Sequence, residues 1–308
     1  MKQLVILSGK GGTGKTSLTA AFAHLASQGS LAEQVVLADA DVDAANLELV
    51  LKPRLLEEDD FRGGQVAVID QAACSSCGDC VQVCRFDAIS LIDEEYEVDP
   101  SACDGCAACV YQCPAGSITM REQVAGRFHA SSTCYGPLYH ASLFPGRENS
   151  GKLVTLVKQR ARLRALDEGR QLVLVDGPPG IGCPVISASS GADLALIVAE
   201  PTAAGAHDMK RVLQTTEHFR LPALVCINKA DIYPLGTKQI EAYCWDNEIE
   251  VAGKIPFDET VTEAMVHGEP VTAYRPDAPA SQAAAQIWHS VLRALSMTDT
   301  APRAQESV

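Results

Sequence analysis

The feature that most restricts the fold is a glycine-rich loop set between an apolar run and a helix-forming run. Lys2–Leu7 is almost continuously apolar, Gly9-Lys10-Gly11-Gly12-Thr13-Gly14-Lys15-Thr16 follows, and Lys15–Ser27 has helical character. The loop satisfies G-x-x-x-x-G-K-[ST], and chemistry explains the spacing. Glycines let backbone N–H groups close around phosphate oxygens, while the helix that follows points its positive end at them. Gly11, Gly12, Thr13, Gly14 and Ser17 are therefore candidate nucleotide-binding residues. Lys15 is placed to neutralise β/γ-phosphate charge and the Thr16 hydroxyl to ligate Mg²⁺.

Such a loop needs a parallel sheet around it, and the rest of the chain supplies the strands. Gln34–Asp39, Gln171–Asp176, Asp193–Ala199, Ala223–Asn228 and Val251–Ile255 are continuous apolar runs, the pattern of parallel strands covered on both faces. Helical stretches such as Ala206–Arg220 and Thr237–Asn247 separate them. The expectation is an α/β protein with a doubly wound, mostly parallel sheet. Asp176 closes one of these strands, where a carboxylate beside the loop is what Mg²⁺ binding requires.

The rhythm breaks between Phe61 and Arg121. Eight of the twelve cysteines fall between Cys74 and Cys113, a metal-site distribution rather than a disulfide framework. Cys74-x₂-Cys77-x₂-Cys80-x₃-Cys84 is repeated as Cys103-x₂-Cys106-x₂-Cys109-x₃-Cys113-Pro114. The residues that follow, Ala88-Ile89-Ser90-Leu91 and Gly116-Ser117-Ile118-Thr119, echo one another too. These are two copies of the bacterial ferredoxin run, in which three close thiolates wrap one cubane and the fourth reaches across to the other. The first [4Fe-4S] cluster would take Cys74, Cys77, Cys80 and Cys113; the second would take Cys103, Cys106, Cys109 and Cys84. Zinc is the other metal suited to soft thiolates, but it favours separated C-x₂-C knuckles. The expected organisation is a P-loop domain over 1–60 and 122–296, an inserted ferredoxin-like domain over 61–121, and a disordered tail over 297–308. The stretch 123–151 reads as loop-rich.

A formal net charge of −14 disfavours a broad phosphate-contacting surface, so no nucleic-acid partner is expected. No run approaches the roughly 18 to 20 apolar residues of a membrane span. Ala283–Leu295 could be helical but carries only Arg293 as a base, unlike an amphipathic membrane anchor. The expected location is cytoplasmic.

Lys10 gives the loop the form K-G-G-x-G-K-T, which resembles the deviant loop of the MinD, ParA, Mrp and nitrogenase iron-protein class. That resemblance implies an ATP-sandwich dimer, with itself or a paralogous ATPase, in which Lys10 reaches the nucleotide of the facing subunit. Asp39-Ala40-Asp41 resembles the same class's D-x-D stretch. By that likeness Asp39 lies near Mg²⁺ and Asp41 orients or activates the attacking water, although Asp43 stands where several relatives carry glycine. Asp176-Gly177-Pro178-Pro179-Gly180 resembles its second switch, with the Gly180 amide sensing the γ-phosphate. Asn228-Lys229-Ala230-Asp231 fits the guanine-reading N-K-x-D pattern. Similar segments in the MinD-like class place the asparagine against adenine, with a loop like the one at Pro256 closing over the ring. ATP is favoured and GTP stays open.

The resemblance implies an ATPase that couples nucleotide state to electron transfer to a partner metalloprotein, during metallocluster assembly in one version. Its alternatives are a metal-cluster carrier of the Mrp type and a positioning or partition ATPase with structural clusters. Several features fall outside it. Cys183 follows the second switch, and His129, Cys134 and His140 flank the loop-rich stretch. Glu148–Val154 resembles a segment of ferredoxin-inserted relatives. Lys158, Arg160, Arg162 and Arg164 read as a solvated basic face.

Overall fold

The computed structural model of this chain describes residues 1–146 and 150–297. The tail expected over 297–308 therefore lies, beyond Met297, outside the described residues, as do Glu148 and Asn149. The chain divides into two compact units, one of Met1–Glu58, Phe128–Ala141 and 150 onward, the other of Asp59–Arg127 with Ser142–Asn149.

The first unit opens with β1 (Lys2–Ser8), α1 (Lys15–Gln28), β2 (Val35–Asp39) and α2 (Leu47–Leu51). The long β3 (Arg54–Ile69) carries the chain into the second unit, which holds α3 (Asp79–Val83), β4 (Ile89–Ile92), β5 (Glu95–Val98) and α4 (Ala108–Gln112). The equally long β6 (Ile118–Thr133) brings it back, and β7 (Gly136–Leu143) and α5 (Ser150–Asp167) follow. Then come β8 (Leu172–Pro179), α6 (Cys183–Ser189), β9 (Leu194–Ala199), α7 (Ala203–His218), β10 (Ala223–Asn228) and α8 (Pro234–Asp246). The described chain closes with β11 (Val251–Ile255), α9 (Thr260–His267), α10 (Val271–Tyr274) and α11 (Pro279–Ala294).

The strands form one sheet in the order β11-β10-β9-β1-β8-β2-β7-β6-β3. Every recorded pairing from β11 across to β7 is parallel. Both faces of the central strands are covered, so β1 exposes only Lys2 and β9 exposes nothing. Register then fixes the site. Ile6 pairs with Asp176 and Asp39 pairs with Asp176, so the two aspartates emerge side by side at the edge where β1 runs into the glycine loop. That carboxyl-end edge is where open parallel sheets bind ligands. Phe22 of α1 meets Trp288 of α11 at a ring-centroid distance of 4.9 Å. Both rings are buried, and each contributes about 2–3 kcal/mol of apolar burial, which pins α1 and therefore the loop.

Two expectations need correction. The stretch 123–151 is not loop-rich: it finishes β6, turns at Cys134-Tyr135, and forms β7. A two-residue connection between neighbouring strands makes a hairpin, and the Thr133 hydroxyl closes it by donating to the Gly136 carbonyl at 2.8 Å. The basic run is not a uniformly solvated face either. Lys158 is buried, and its Nζ donates to the carbonyls of Ser187, Ala188 and Ser190, capping the negative end of α6.

The second unit is built on a repeat. Its small core joins Ala67, Cys80, Ile89, Cys109 and Ile118. α3 and α4 are single turns, each entered through a left-handed residue, Gly78 at φ 82° and Ala107 at φ 61°. Each leaves through an extended cysteine, Cys84 and Cys113. β4 and β5 pair antiparallel, Ile92 facing Glu95, across a turn with positive φ at both Asp93 and Glu94, the geometry that matches strand twist. The unit is wider than the cysteine-bearing 61–121, because β3 and β6 run several residues beyond the cysteines before they reach the first unit.

Candidate nucleotide site and paired thiol cavities

The loop leaves β1 at Ser8, whose hydroxyl donates to the Lys10 carbonyl at 2.7 Å, and enters α1 through Gly14 at φ 93°. A side chain at Gly14 would strike the Asn228 amide, whereas Gly11, Gly12 and Gly180 face open space, leaving their backbone free to approach a ligand. Thr13 lies in the same arc with its buried hydroxyl unpartnered. Ser17, one turn into α1, turns its hydroxyl to the Met265 sulfur at 3.3 Å.

Charge at this edge is concentrated and buried. Lys15 is 4% exposed, and Asp39 and Asp176 are fully buried. The Thr16 hydroxyl donates to Asp176 Oδ2 at 2.6 Å, and Thr19 donates to its Oδ1 at 3.1 Å. Asp39 accepts from the Asp41 and Leu47 amides at 3.1 and 3.0 Å, so it also anchors the start of α2. Burial first, and then the Asp176 charge, push the Asp39 carboxyl well above the carboxylate range. Burial also raises Asp176, against the opposing Lys15 charge and its two hydroxyl donors. Asp41 is pushed up to about 6 by burial; Lys15 opposes this, and Asp176 and Asp43 reinforce it. A hydroxyl and two buried carboxylates held side by side form a hard-oxygen set suited to Mg²⁺, so Thr16, Asp39 and Asp176 fit the ion.

The sign of these shifts has a consequence. A carboxyl whose folded pKa lies above its unfolded value adds stability below the unfolded value and loses it as pH rises through the folded one. For Asp41 that window runs from 3.8 to about 6. The protein without nucleotide should therefore lose stability toward denaturant between pH 4 and pH 6, by on the order of 1 kcal/mol once solvent screening is counted. MgADP should remove most of that slope. A denaturation midpoint that climbs steadily over this interval would contradict the electrostatic assignment.

Sequence reasoning missed Glu200. It follows β9 at the same edge and accepts from Lys10 and Lys229, each at 2.6 Å. Burial pushes its carboxyl up, but those two lysines outweigh burial and hold it below the usual range. A carboxylate directly after a fully buried parallel strand was the available signal. Three residues singled out by resemblance make contacts within the chain. Lys10 is paired within its own chain. The Gly180 N–H donates to the Ser8 carbonyl at 2.8 Å. Asn228 gives its amide to the Thr13 carbonyl at 2.7 Å, and its oxygen accepts from the Lys229 N–H, so it braces the loop from behind. Asp231 accepts from Phe257 N–H at 2.6 Å, tying the N-K-A-D turn to the segment that holds half-buried Pro256.

The second unit contains two small cavities. One, of about 10 Å³, is lined by Cys74, Cys77, Cys80 and Cys113 together with Tyr96 and Ser117. The other, of about 20 Å³, is lined by Cys84, Cys103, Cys106 and Cys109 together with Phe86 and Met120. Each gathers three cysteines of one run and the last of the other. Cys80 and Cys109 are buried and Cys77 and Cys106 exposed, and all eight are free thiols. Burial raises the Cys80 and Cys109 thiols, whereas a hydrogen bond with Ser117 lowers Cys113. Among the described residues no three metal-binding side chains converge closely enough to hold a single ion.

Residues 4–271 match the family described as the CobQ/CobB/MinD/ParA nucleotide binding domain. The chain belongs to that family. It is thus a P-loop nucleotide-binding protein of the ParA/MinD ATPase type. An uncharacterized protein of Methanocaldococcus jannaschii is 34% identical over 229 residues, 74% of this chain and 78% of that one. The cytosolic Fe-S cluster assembly factor Nubp1 homolog of Drosophila grimshawi is 29% identical over 138 residues, 38% of this chain and 44% of its own length. In fold, the chain is similar to the MinD cell division protein of Aquifex aeolicus, with a TM-score of 0.58 at 21% identity and coverage of 98% and 100%.

The remaining candidates are dispersed. Cys183 and Cys134 are exposed and Cys226 is buried in β10. His129 and His140 do come together, stacked at 4.8 Å between ring centroids. His129 faces Glu58 at 3.0 Å and His140 faces Glu48 at 3.3 Å. Among the described residues no helix is long and apolar enough to cross a membrane.

Proposed function

We propose that this chain is a Mg²⁺-dependent ATPase of the cytoplasm whose inserted, ferredoxin-like unit carries two [4Fe-4S] clusters, and that nucleotide state gates electron transfer to a partner metalloprotein. The observation that carries the reading is the crossed grouping of cysteines, four around each cavity. Four soft thiolates per cavity suit a cubane, and crossed ligation is how a doubled ferredoxin run holds two. The clusters would supply one-electron storage.

On the nucleotide side, Lys15 balances phosphate charge, while Thr16, Asp39 and Asp176 hold Mg²⁺, which spreads charge across the phosphates. Asp41, ionised at neutral pH, accepts a hydrogen bond from the attacking water and fixes its direction. Lys10 exchanges Glu200 for a phosphate oxygen when a second subunit, a copy or a paralogue, closes over the site.

Coupling has a physical route. Asp39 holds the first amide of α2, and Glu48, the next residue, pairs with His140 on β7. His140 stacks on His129 of β6, and the same strand begins with Ile118, in the core that contains Cys80 and Cys109. A change at Asp39 thus bears on a strand that is continuous with the cysteine core. Such a route matters only if nucleotide binds its two arrangements with different affinity.

Similarity to the Drosophila cluster assembly factor favours one second reading, a carrier that hands its clusters on, which exposed Cys77 and Cys106 would permit. An anaerobic redox titration with and without MgATP separates the two. Gating predicts a shift of about 60 mV, equivalent to about 1.4 kcal/mol per electron. Unmoved potentials together with cluster loss to an apo-ferredoxin would replace gating with the carrier reading.

A further inference from the structure

The repeat inside the second unit provides an internal comparison. Four residues after the last cysteine of each run stand Ala88 and Ser117, and their backbones are equivalent. Each follows a left-handed residue, Asp87 at φ 51° and Gly116 at φ 62°. Each carbonyl accepts a 2.8 Å hydrogen bond from an aspartate amide, Asp99 for Ala88 and Asp70 for Ser117. Both are buried, 2% and 4% exposed, and each lines its own cavity. The difference between them is one hydroxyl, and it lies 3.3 Å from Cys113 Sγ.

Resting on the two-cluster reading, we infer that Ser117 makes the clusters inequivalent, giving the one held by Cys74, Cys77, Cys80 and Cys113 the higher reduction potential, so that the first electron settles there. A thiolate bound to iron has lone pairs and no proton, so the hydroxyl must donate. Reduction adds one negative charge, and a donor aimed at the ligand sulfur stabilises the more negative state more. Across the pseudo-twofold, Ala88 offers only a methyl group, and Phe86, Ile89 and Met120 line the same cavity. The electron balance is simple: a one-electron reductant gives up one electron, one cluster gains it, and no bond or proton moves. Ser117 is thus a tuning residue, and it sets the direction of transfer between the clusters, from the Cys103 set toward the Cys74 set.

The test is an anaerobic potentiometric titration of the full chain with titanium(III) citrate, followed by electron paramagnetic resonance. Wild type should give two separate one-electron waves. Ser117→Ala should lower the upper wave by about tenfold in its reduction equilibrium, about 59 mV for a one-electron couple, and leave the lower wave in place. Ala88→Ser should raise the lower wave by a similar amount, and Ser117→Thr, which keeps the hydroxyl, should hold the wild-type potential. Unchanged waves in Ser117→Ala with full iron, or an equal shift in Ser117→Thr, would overturn the inference and leave the two-cluster reading standing. Iron and sulfide well below about eight per chain in wild type would overturn that reading instead, and the inference with it.

Discussion

Replacing Lys15 with alanine abolishes measurable MgATP binding. The side chain is 4% exposed, and its charge opposes the upward push on both Asp41 and Asp176. In the variant those carboxylates lose their nearest cation while the incoming phosphates lose theirs. Removing one partner from a buried charge set costs about 3–5 kcal/mol, which corresponds to roughly a hundred- to several-thousand-fold in affinity. Isothermal titration calorimetry with MgATP measures this directly, and circular dichroism checks that the fold is intact. Lys10→Ala provides the contrast. Lys10 is 40% exposed at its side chain, and Glu200 keeps Lys229 as a partner, so affinity should fall by no more than about tenfold. Near-normal MgATP affinity in Lys15→Ala would remove the phosphate site from this loop.

What could be read in the sequence follows from what burial does to composition. β1, β9 and β10 are covered on both faces, so they stand out as apolar runs and their ends were legible to within a residue or so. The same holds for the glycine loop, where backbone geometry dictates residue type. β3 and β6 were not legible, because each mixes covered and solvated stretches along one strand. Leu55 to Asp60 of β3 are all exposed, at the sheet edge where charge discourages pairing with another chain. In β6 charged, polar and apolar residues mix with a glycine and no regular alternation, a pattern that reads as a loop until a hairpin partner is known. Lys158 was misread for a related reason. A lysine in a basic run looks solvated, and only the tertiary arrangement of α6 supplies three carbonyls for it. The lysine partners of Glu200 and the bracing role of Asn228 depend on contacts across many residues of sequence, which no local pattern encodes. The cysteines are the opposite case, since ligand spacing is local chemistry.

The crossed ligation proposed above makes the second large-effect prediction, and paired variants test it. Cys103→Ala should lose about half of the iron, because one thiolate of four is gone and an exposed iron corner is labile. Cys84→Ala should lose the same half, although Cys84 sits in the other run, since both line one cavity. The double variant Cys84→Ala/Cys103→Ala should then lose no more than either single change, the non-additivity expected of residues that act as a unit. Cys74→Ala/Cys84→Ala takes one ligand from each cavity and should lose nearly all the iron, although both residues belong to one run. Uncrossed ligation reverses the two results: the first pair would lose everything and the second only half. Stability sharpens the comparison. The buried cluster at the centre of the unit has five residues, two of them cysteines, a small core for a fold without a staple. Iron retained in full by both double variants would show that these thiols bind no cluster. A crossed pattern accompanied by lower resistance of residues 59–127 to limited proteolysis would show that the clusters hold this unit together as well as storing its electrons.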